Sequence, residues 1–197
     1  MRPVTILYED TVGGPIKDYG PHNFVVQSAG DQLGKNRWEM SHVTAVPLNG
    51  NSNVREACKR ERSRFERSGA RVIAVYDSDQ IGGLIKLAQP WCKLRIRSML
   101  LEQCPWRANL TVVLLERNIE TLLEAICSPD PSIVPEELKN KAIHHKKLDA
   151  RDAILNRASQ PAARGVRDAV RSIVPSFDYL IHKVVNASAE HLDHRES

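Results

Sequence analysis

Acidic residues stand where apolar runs end. Val4-Thr5-Ile6-Leu7-Tyr8 leads into Glu9-Asp10, and Val72-Ile73-Ala74-Val75-Tyr76 leads into Asp77-Ser78-Asp79. Short runs rich in Val and Ile read as strands buried on both faces, and open α/β sheets bind ligands in the crevice at the carboxyl ends of such strands. Carboxylates gathered there raise one another's pKa unless a divalent cation offsets their charge, and oxygen donors suit Mg²⁺ or Mn²⁺. On extended chain Asp77 and Asp79 alternate about Ser78, so both would face the crevice while Ser78 faces away. Asp10 is a spare ligand, directed opposite to Glu9 if the strand continues. A third apolar run, over 109–115, closes on Glu116, with Glu120 four positions on; a helix that starts early enough puts both on one face.

Basic residues supply the complementary chemistry. Lys59, Arg60, Arg62, Arg64, Arg67 and Arg71 crowd one segment, and Lys139, Lys141, Lys146 and Lys147 another, within a net charge of +4. Such patches neutralise phosphates, which makes Arg60, Arg64, Lys146 and Lys147 the candidate nucleic-acid contacts. Glu56, Glu61 and Glu66 interleave the first patch, as on a solvated helix laced by i, i+4 ion pairs. The stretch His144-His145-Lys146-Lys147 is the best source of a cation to offset charge developing at a leaving phosphate. Trp38, Trp91 and Trp106 have rings that stack on bases, but each is expected to cover core. His22 falls in a loop beside the proposed site, His182 is expected to pack or lie at the surface, and His191 and His194 belong to a tail without further metal ligands.

The elements that must position these groups alternate between strand and helix. Strands are expected over 4–8, 43–48, 72–76 and 109–115, and helices over 23–33, 54–67, 81–88, 90–103 and 119–126. That alternation predicts an α/β fold with a mostly parallel sheet flanked by helices. A glycine- and proline-containing loop follows the first strand, and the prolines of 127–135 mark a linker. Beyond it, 136–142, 149–157, 163–173 and 177–185 read as a C-terminal helical extension. The expected organisation is an α/β domain over 1–127, a helical extension over 128–189 and a disordered tail over 190–197. Cys58, Cys92, Cys104 and Cys127 form no CxxC pair, and no secretory signal begins the chain, so they read as reduced thiols of a cytoplasmic protein. No apolar stretch reaches the roughly 18 residues of a membrane span.

The order of these acids resembles that of the Toprim domain, shared by topoisomerases, bacterial primases, recombination-mediator proteins and OLD-type nucleases. Glu9 matches its first-strand glutamate, and Asp77 and Asp79 its Asp-x-Asp pair. Leu115-Glu116-Arg117-Asn118-Ile119-Glu120-Thr121-Leu122-Leu123 looks like the corresponding segment of small stand-alone Toprim nucleases related to the OLD group. Glu120 fits the family's position best, and Glu116 is the neighbouring candidate. The resemblance spans about residues 4–127. It departs at Asp10-Thr11-Val12-Gly13-Gly14, where the family usually has a glycine and then a helix.

The resemblance implies a Toprim-like, Rossmann-like fold and divalent-metal-dependent cleavage of phosphodiester bonds in DNA or RNA. Glu9 would ligate a metal or act as general base, Asp77 and Asp79 would bind Mg²⁺ or Mn²⁺, and Glu120 with Glu116 would complete a second site. Lys147 would be the lysine that OLD-type nucleases place after their acidic motifs. Free-standing proteins of this kind look like effectors of anti-phage defence or toxin systems, with a sensor ATPase encoded alongside; no Walker motif occurs here. Two other readings stand beside it. One is a non-catalytic Toprim-like module that binds nucleic acid or a partner. The other is a phosphotransferase of haloacid-dehalogenase type, against which the late position of Asp77 and the role given to Glu9 both count.

Overall fold

The computed structural model describes residues 3–9, 21–60, 69–87, 92–104, 109–116, 119–133 and 148–196. The side chains of residues 79–80, 119–120, 148–150 and 192–196 also lie outside what is described. In chain order the elements are β1 (Val4–Glu9), α1 (Pro21–Leu33), β2 (Val43–Leu48), α2 (Asn51–Arg60), β3 (Arg71–Asp77), α3 (Ser78–Leu84) and α4 (Lys93–Glu102). Then follow β4 (Leu110–Leu115), α5 (Ile119–Cys127), α6 (Leu148–Ala158), α7 (Arg164–Ile173) and α8 (Pro175–Glu196), with 3₁₀ turns at Pro131–Ile133 and Pro161–Ala163.

The chain divides into two compact units. The first comprises Met1–Val12, Ser41–Glu116 and Lys183–Ser197, and the second Gly13–Met40 and Arg117–His182. The stretch expected as one domain over 1–127 is thus shared between them. Each unit is interrupted in sequence, which hydrophobic periodicity cannot register.

Among its described residues the first unit holds a four-stranded sheet in the order β2-β1-β3-β4, parallel at every pairing. The expected α/β class with a parallel sheet is what the protein has. β1, β3 and β4 are buried along nearly their whole length, the condition under which continuous Val, Ile and Leu runs are favoured over alternation. β2 lies at the edge and is only partly buried. It carries Pro47, whose missing N–H is tolerated there because an edge strand leaves one side of its backbone unpaired. On one face of the sheet, Leu7, Val72, Ala74, Tyr76, Val112 and Leu114 form a core with Val54 and Cys58 of α2, Ile81 of α3 and Ile96 and Leu100 of α4. The Tyr76 hydroxyl donates to Cys58 Sγ at 3.7 Å within this core, and burial pushes the Tyr76 pKa up. All four cysteines are free thiols.

The end of the chain departs from expectation. Residues 190–196 continue α8 rather than forming a frayed tail. His191 is 3% exposed, and its ring stacks on that of His42 with centroids 4.1 Å apart. Arg71 Nη2 and Nε donate to Glu190 Oε2 at 2.6 and 3.0 Å, so this arginine of the expected basic patch is an anchor for the helix.

The second unit is helical among its described residues: α1 packs on α6 and α7, and α5 on α6, α7 and the Pro131–Ile133 turn. Residues 136–142, expected as helix, lie outside the described residues. No helix among the described residues is long and apolar enough to cross a membrane.

Candidate active site

Strand order decides where a ligand fits. In the order β2-β1-β3-β4 the chain leaves β1 toward one edge of the sheet and β3 toward the other, so the winding reverses between β1 and β3. In open parallel sheets the crevice outside the carboxyl ends at such a reversal is the usual ligand site. Glu9 is the last residue of β1 and Asp77 the last of β3, on adjacent strands to either side of that point.

The register adds a condition. Tyr8 pairs with Val75, so Glu9 lines up beside Tyr76 and stands one position short of Asp77. Aligned residues of a parallel pair share a face, and successive residues alternate faces. Glu9 therefore leaves the sheet on the side of Leu7, Ala74 and Tyr76, and Asp77 on the other, so a cation shared by the two would sit over the strand ends. Both residues are half-buried, and Glu9 Oε2 is shielded from solvent.

Asp77 is held by its backbone. Asn51, 6% exposed at the start of α2, donates from Nδ2 to the Asp77 carbonyl at 3.3 Å and accepts the Asp77 N–H on Oδ1 at 3.2 Å. Asp77 occupies the N-cap position of α3 with extended backbone (φ −75°, ψ 124°), yet makes no side-chain cap hydrogen bond. A strand-end aspartate commonly caps the helix that follows; here a buried amide fixes the corner instead. Sequence spacing gave no hint of this clamp, because Asn51 and Asp77 stand 26 positions apart.

Two expectations about neighbouring acids change. The chain turns helical at Ser78, so Asp79 lies in the first turn of α3 and not on extended chain, and the alternation argument for it lapses. Its side chain is outside the described residues. Helix α5 begins at Ile119, so Glu116 precedes the helix and does not share a face with Glu120 by i, i+4 spacing. The Glu120 side chain also lies outside the described residues. Glu116 follows β4 at the same edge of the sheet, exposed, and accepts from Lys93 Nζ at the start of α4. Lys93 is a basic group at this edge that sequence reasoning missed, since nothing links two positions so far apart in the chain.

Asp10, Arg64, Lys146 and Lys147 lie outside the described residues, as do Trp91 and Trp106. Arg60, in the last turn of α2, pairs with Glu56 at 3.5 Å, and Lys59 with the same glutamate at 3.3 Å. This is the ion-pair lacing expected of a solvated helix. His22 lies in the first turn of α1, and His182 is exposed with Nε2 3.4 Å from Asp178 Oδ2. Trp38, expected to cover core, is 86% exposed.

Among the described residues no group of three or more His, Cys, Asp or Glu side chains gathers as a metal site. The donor chemistry that is described, carboxylate oxygens of Glu9 and Asp77 at one crevice, is of the type that Mg²⁺ and Mn²⁺ accept. Fold and site together define an α/β protein with two carboxylates, Glu9 and Asp77, at strand ends that flank the reversal point of a parallel sheet.

No protein-family model matches the chain, and no curated protein matches it. Among solved structures, the chain is similar to the C-terminal region of the OLD protein of Xanthomonas campestris pv. campestris. The likeness covers 96% of this chain and 98% of that one, at 13% identity and a TM-score of 0.37. At that level it assigns no role to any residue.

Proposed function

We propose that the protein is a Mg²⁺- or Mn²⁺-dependent nuclease of Toprim type that cleaves phosphodiester bonds in DNA or RNA. The observation that carries this is the placement of Glu9 and Asp77 on adjacent parallel strands to either side of the point where the sheet reverses its winding. The sequence pattern supports it, because Asp79 and Glu120 continue the acidic series in the order that the Toprim resemblance implies. Glu9, Asp77 and Asp79 would hold the ions, with Glu120, or Glu116 released from Lys93, completing the set. When bound, a pair of such ions offsets charge on the attacking and leaving oxygens of a phosphodiester.

The chain's own groups have separable tasks. Glu9 would ligate a metal or take the proton of the attacking water. Asn51 keeps the β3–α3 corner in one conformation, so the Asp77 carboxylate starts from a fixed backbone. Lys147 supplies the cation for the leaving phosphate, and Arg60, Arg64 and Lys146 hold nucleic-acid backbone. In the cell the protein would act in the cytoplasm as the effector of an anti-phage defence or toxin system, alongside a partner ATPase.

The test is a panel of plasmid DNA, single-stranded DNA and total tRNA incubated with the protein in Mn²⁺, Mg²⁺ or EDTA. Cleavage of one class in metal and none in EDTA is the expected result. Binding of nucleic acid without cleavage, in a protein whose calorimetry shows no Mn²⁺ uptake, would leave a non-catalytic binding module instead.

A further inference from the structure

The second unit contains a groove of about 510 Å³ that is separate in sequence from the acidic crevice. Among the described residues its cationic lining residues are Lys35, Arg37 and Arg164, and its one large aromatic is Trp38. Asn23 and Gln27 add amides along α1. Asp31 is its acidic lining residue, and that charge is already met by Arg167, whose Nε lies 2.7 Å from Asp31 Oδ2.

The groove is built rather than incidental. Arg167 is 1% exposed and also donates to the carbonyls of Ala158 and Gln160 at 2.7 and 2.6 Å, which ties the corner after α6 to α1. Helix α1 ends with Gly34 at φ +65° and the Lys35 N–H on the Gly30 carbonyl at 2.8 Å, the bonding of a Schellman stop. The next turn is braced reciprocally: Asn36 Oδ1 accepts the N–H groups of Trp38 and Glu39, while Glu39 Oε2 accepts that of Asn36. Met40, buried, anchors its far end through its N–H on the Asn36 carbonyl. Trp38 is therefore 86% exposed on a rigid turn, where a mobile loop would have let the indole fold down onto apolar surface.

We propose that this groove binds a single-stranded nucleic acid, with a base stacked on Trp38 and phosphates held by Lys35, Arg37 and Arg164. An exposed indole between cations and side-chain amides matches the three needs of an unpaired strand: a stacking platform, backbone neutralisation and hydrogen bonds to base edges. An acidic peptide would use the cations and leave the indole idle. A protein hot spot built on Trp and Arg would need an apolar centre around them, and among the described residues no Val, Leu, Ile, Met or Phe lines the groove. Lys35 and Arg164 are engaged with Glu39 at 3.4 Å and Asp168 at 3.9 Å. Exposed pairs of that kind are weak enough to exchange for phosphate.

The test uses the full chain in EDTA, where metal-dependent cleavage is off, and labelled oligothymidylate and oligouridylate of about 20 nucleotides, longer than one binding site requires. Anisotropy is expected to report binding that weakens with salt, and indole emission is expected to fall as Trp38 stacks. Trp38→Ala should weaken binding about 10-fold or more and remove most of that quenching. Arg37→Glu with Arg164→Glu should weaken it further and flatten the salt dependence. All these side chains are at the surface, so unchanged melting temperatures will show that the variants fold. Unaltered affinity in both variants overturns the proposal, as does binding of polyglutamate by a wild type that binds neither oligonucleotide. Because the probes are read in EDTA, cleavage at the acidic crevice plays no part in the result, and the groove and the crevice stand or fail separately.

Discussion

Asn51 shows how one side chain can serve a site without touching its ligand. Its amide closes a two-point contact on the Asp77 backbone from a position 6% exposed. Removing it takes one partner each from a part-buried N–H and carbonyl, a loss of about 1 kcal/mol for each bond. Asn51→Ala is accordingly expected to lose about 2 kcal/mol of stability in urea denaturation, whereas Ser52→Ala on the exposed side of the same turn should lose little. Glu39 gives a pH signature. The backbone N–H of Asn36 holds its carboxyl below the usual glutamate range, aided by Lys35. A group whose folded pKa is depressed stabilises above its unfolded pKa, and that contribution disappears as pH falls through the folded value. The Asn36–Glu39 turn should therefore stay ordered through neutral and mildly acid pH and loosen only below the ordinary glutamate pKa. The indole N–H resonance of Trp38 will report it, and its displacement in Glu39→Ala at neutral pH is expected from loss of the acceptor for the Asn36 N–H. The strand-end positions of Glu9 and Asp77 were legible from the buried apolar runs that precede them. Asn51, Lys93 and Arg167 were not, because each acts through partners distant in the chain.

Elements were readable wherever one period dominated. β1, β3 and β4 are apolar runs buried on both faces and appear within a residue or so of expectation, and α5 and α7 likewise follow their apolar spacing. The errors lie where tertiary contacts decide. The corner after β3 turns helical at once, which moved Asp79 off the strand, and α8 runs on to Glu196 because Glu190 and His191 find partners in Arg71 and His42. Helix α1 offers a test of close packing. A Cβ on Gly30 would stand 2.7 Å from the Lys35 carbonyl oxygen, a backbone atom fixed by the Schellman stop. Alanine favours helix over glycine by about 1 kcal/mol, yet such overpacking costs about 1–3 kcal/mol. Gly30→Ala is expected to lower the melting temperature, and a rise would mean that the turn yields. Arg167→Met should cost more, about 3–5 kcal/mol, because it leaves Asp31 and two carbonyls without their buried cation.

At the scale of the whole molecule, one unit carries the acidic crevice and the other the groove, in a chain with net charge +4. The division cuts across the sequence, so no composition shift or linker marks it. A cation that binds the folded crevice and not the unfolded chain must stabilise the fold, by about 2.7 kcal/mol at a hundredfold excess over its Kd, and so raise the melting temperature with its concentration. Mn²⁺ should do so for wild type and much less for Glu9→Gln or Asp77→Asn. The measurement to make is Mn²⁺-dependent cleavage of the best substrate of the panel by wild type, Glu9→Gln and Asp77→Asn, each shown to be folded. Cutting by wild type and its loss in both variants, by about a hundredfold or more as expected when a group stabilising the transition state is removed, is the expected result. Cutting that persists in both would contradict the assignment of the crevice between β1 and β3 as the active site.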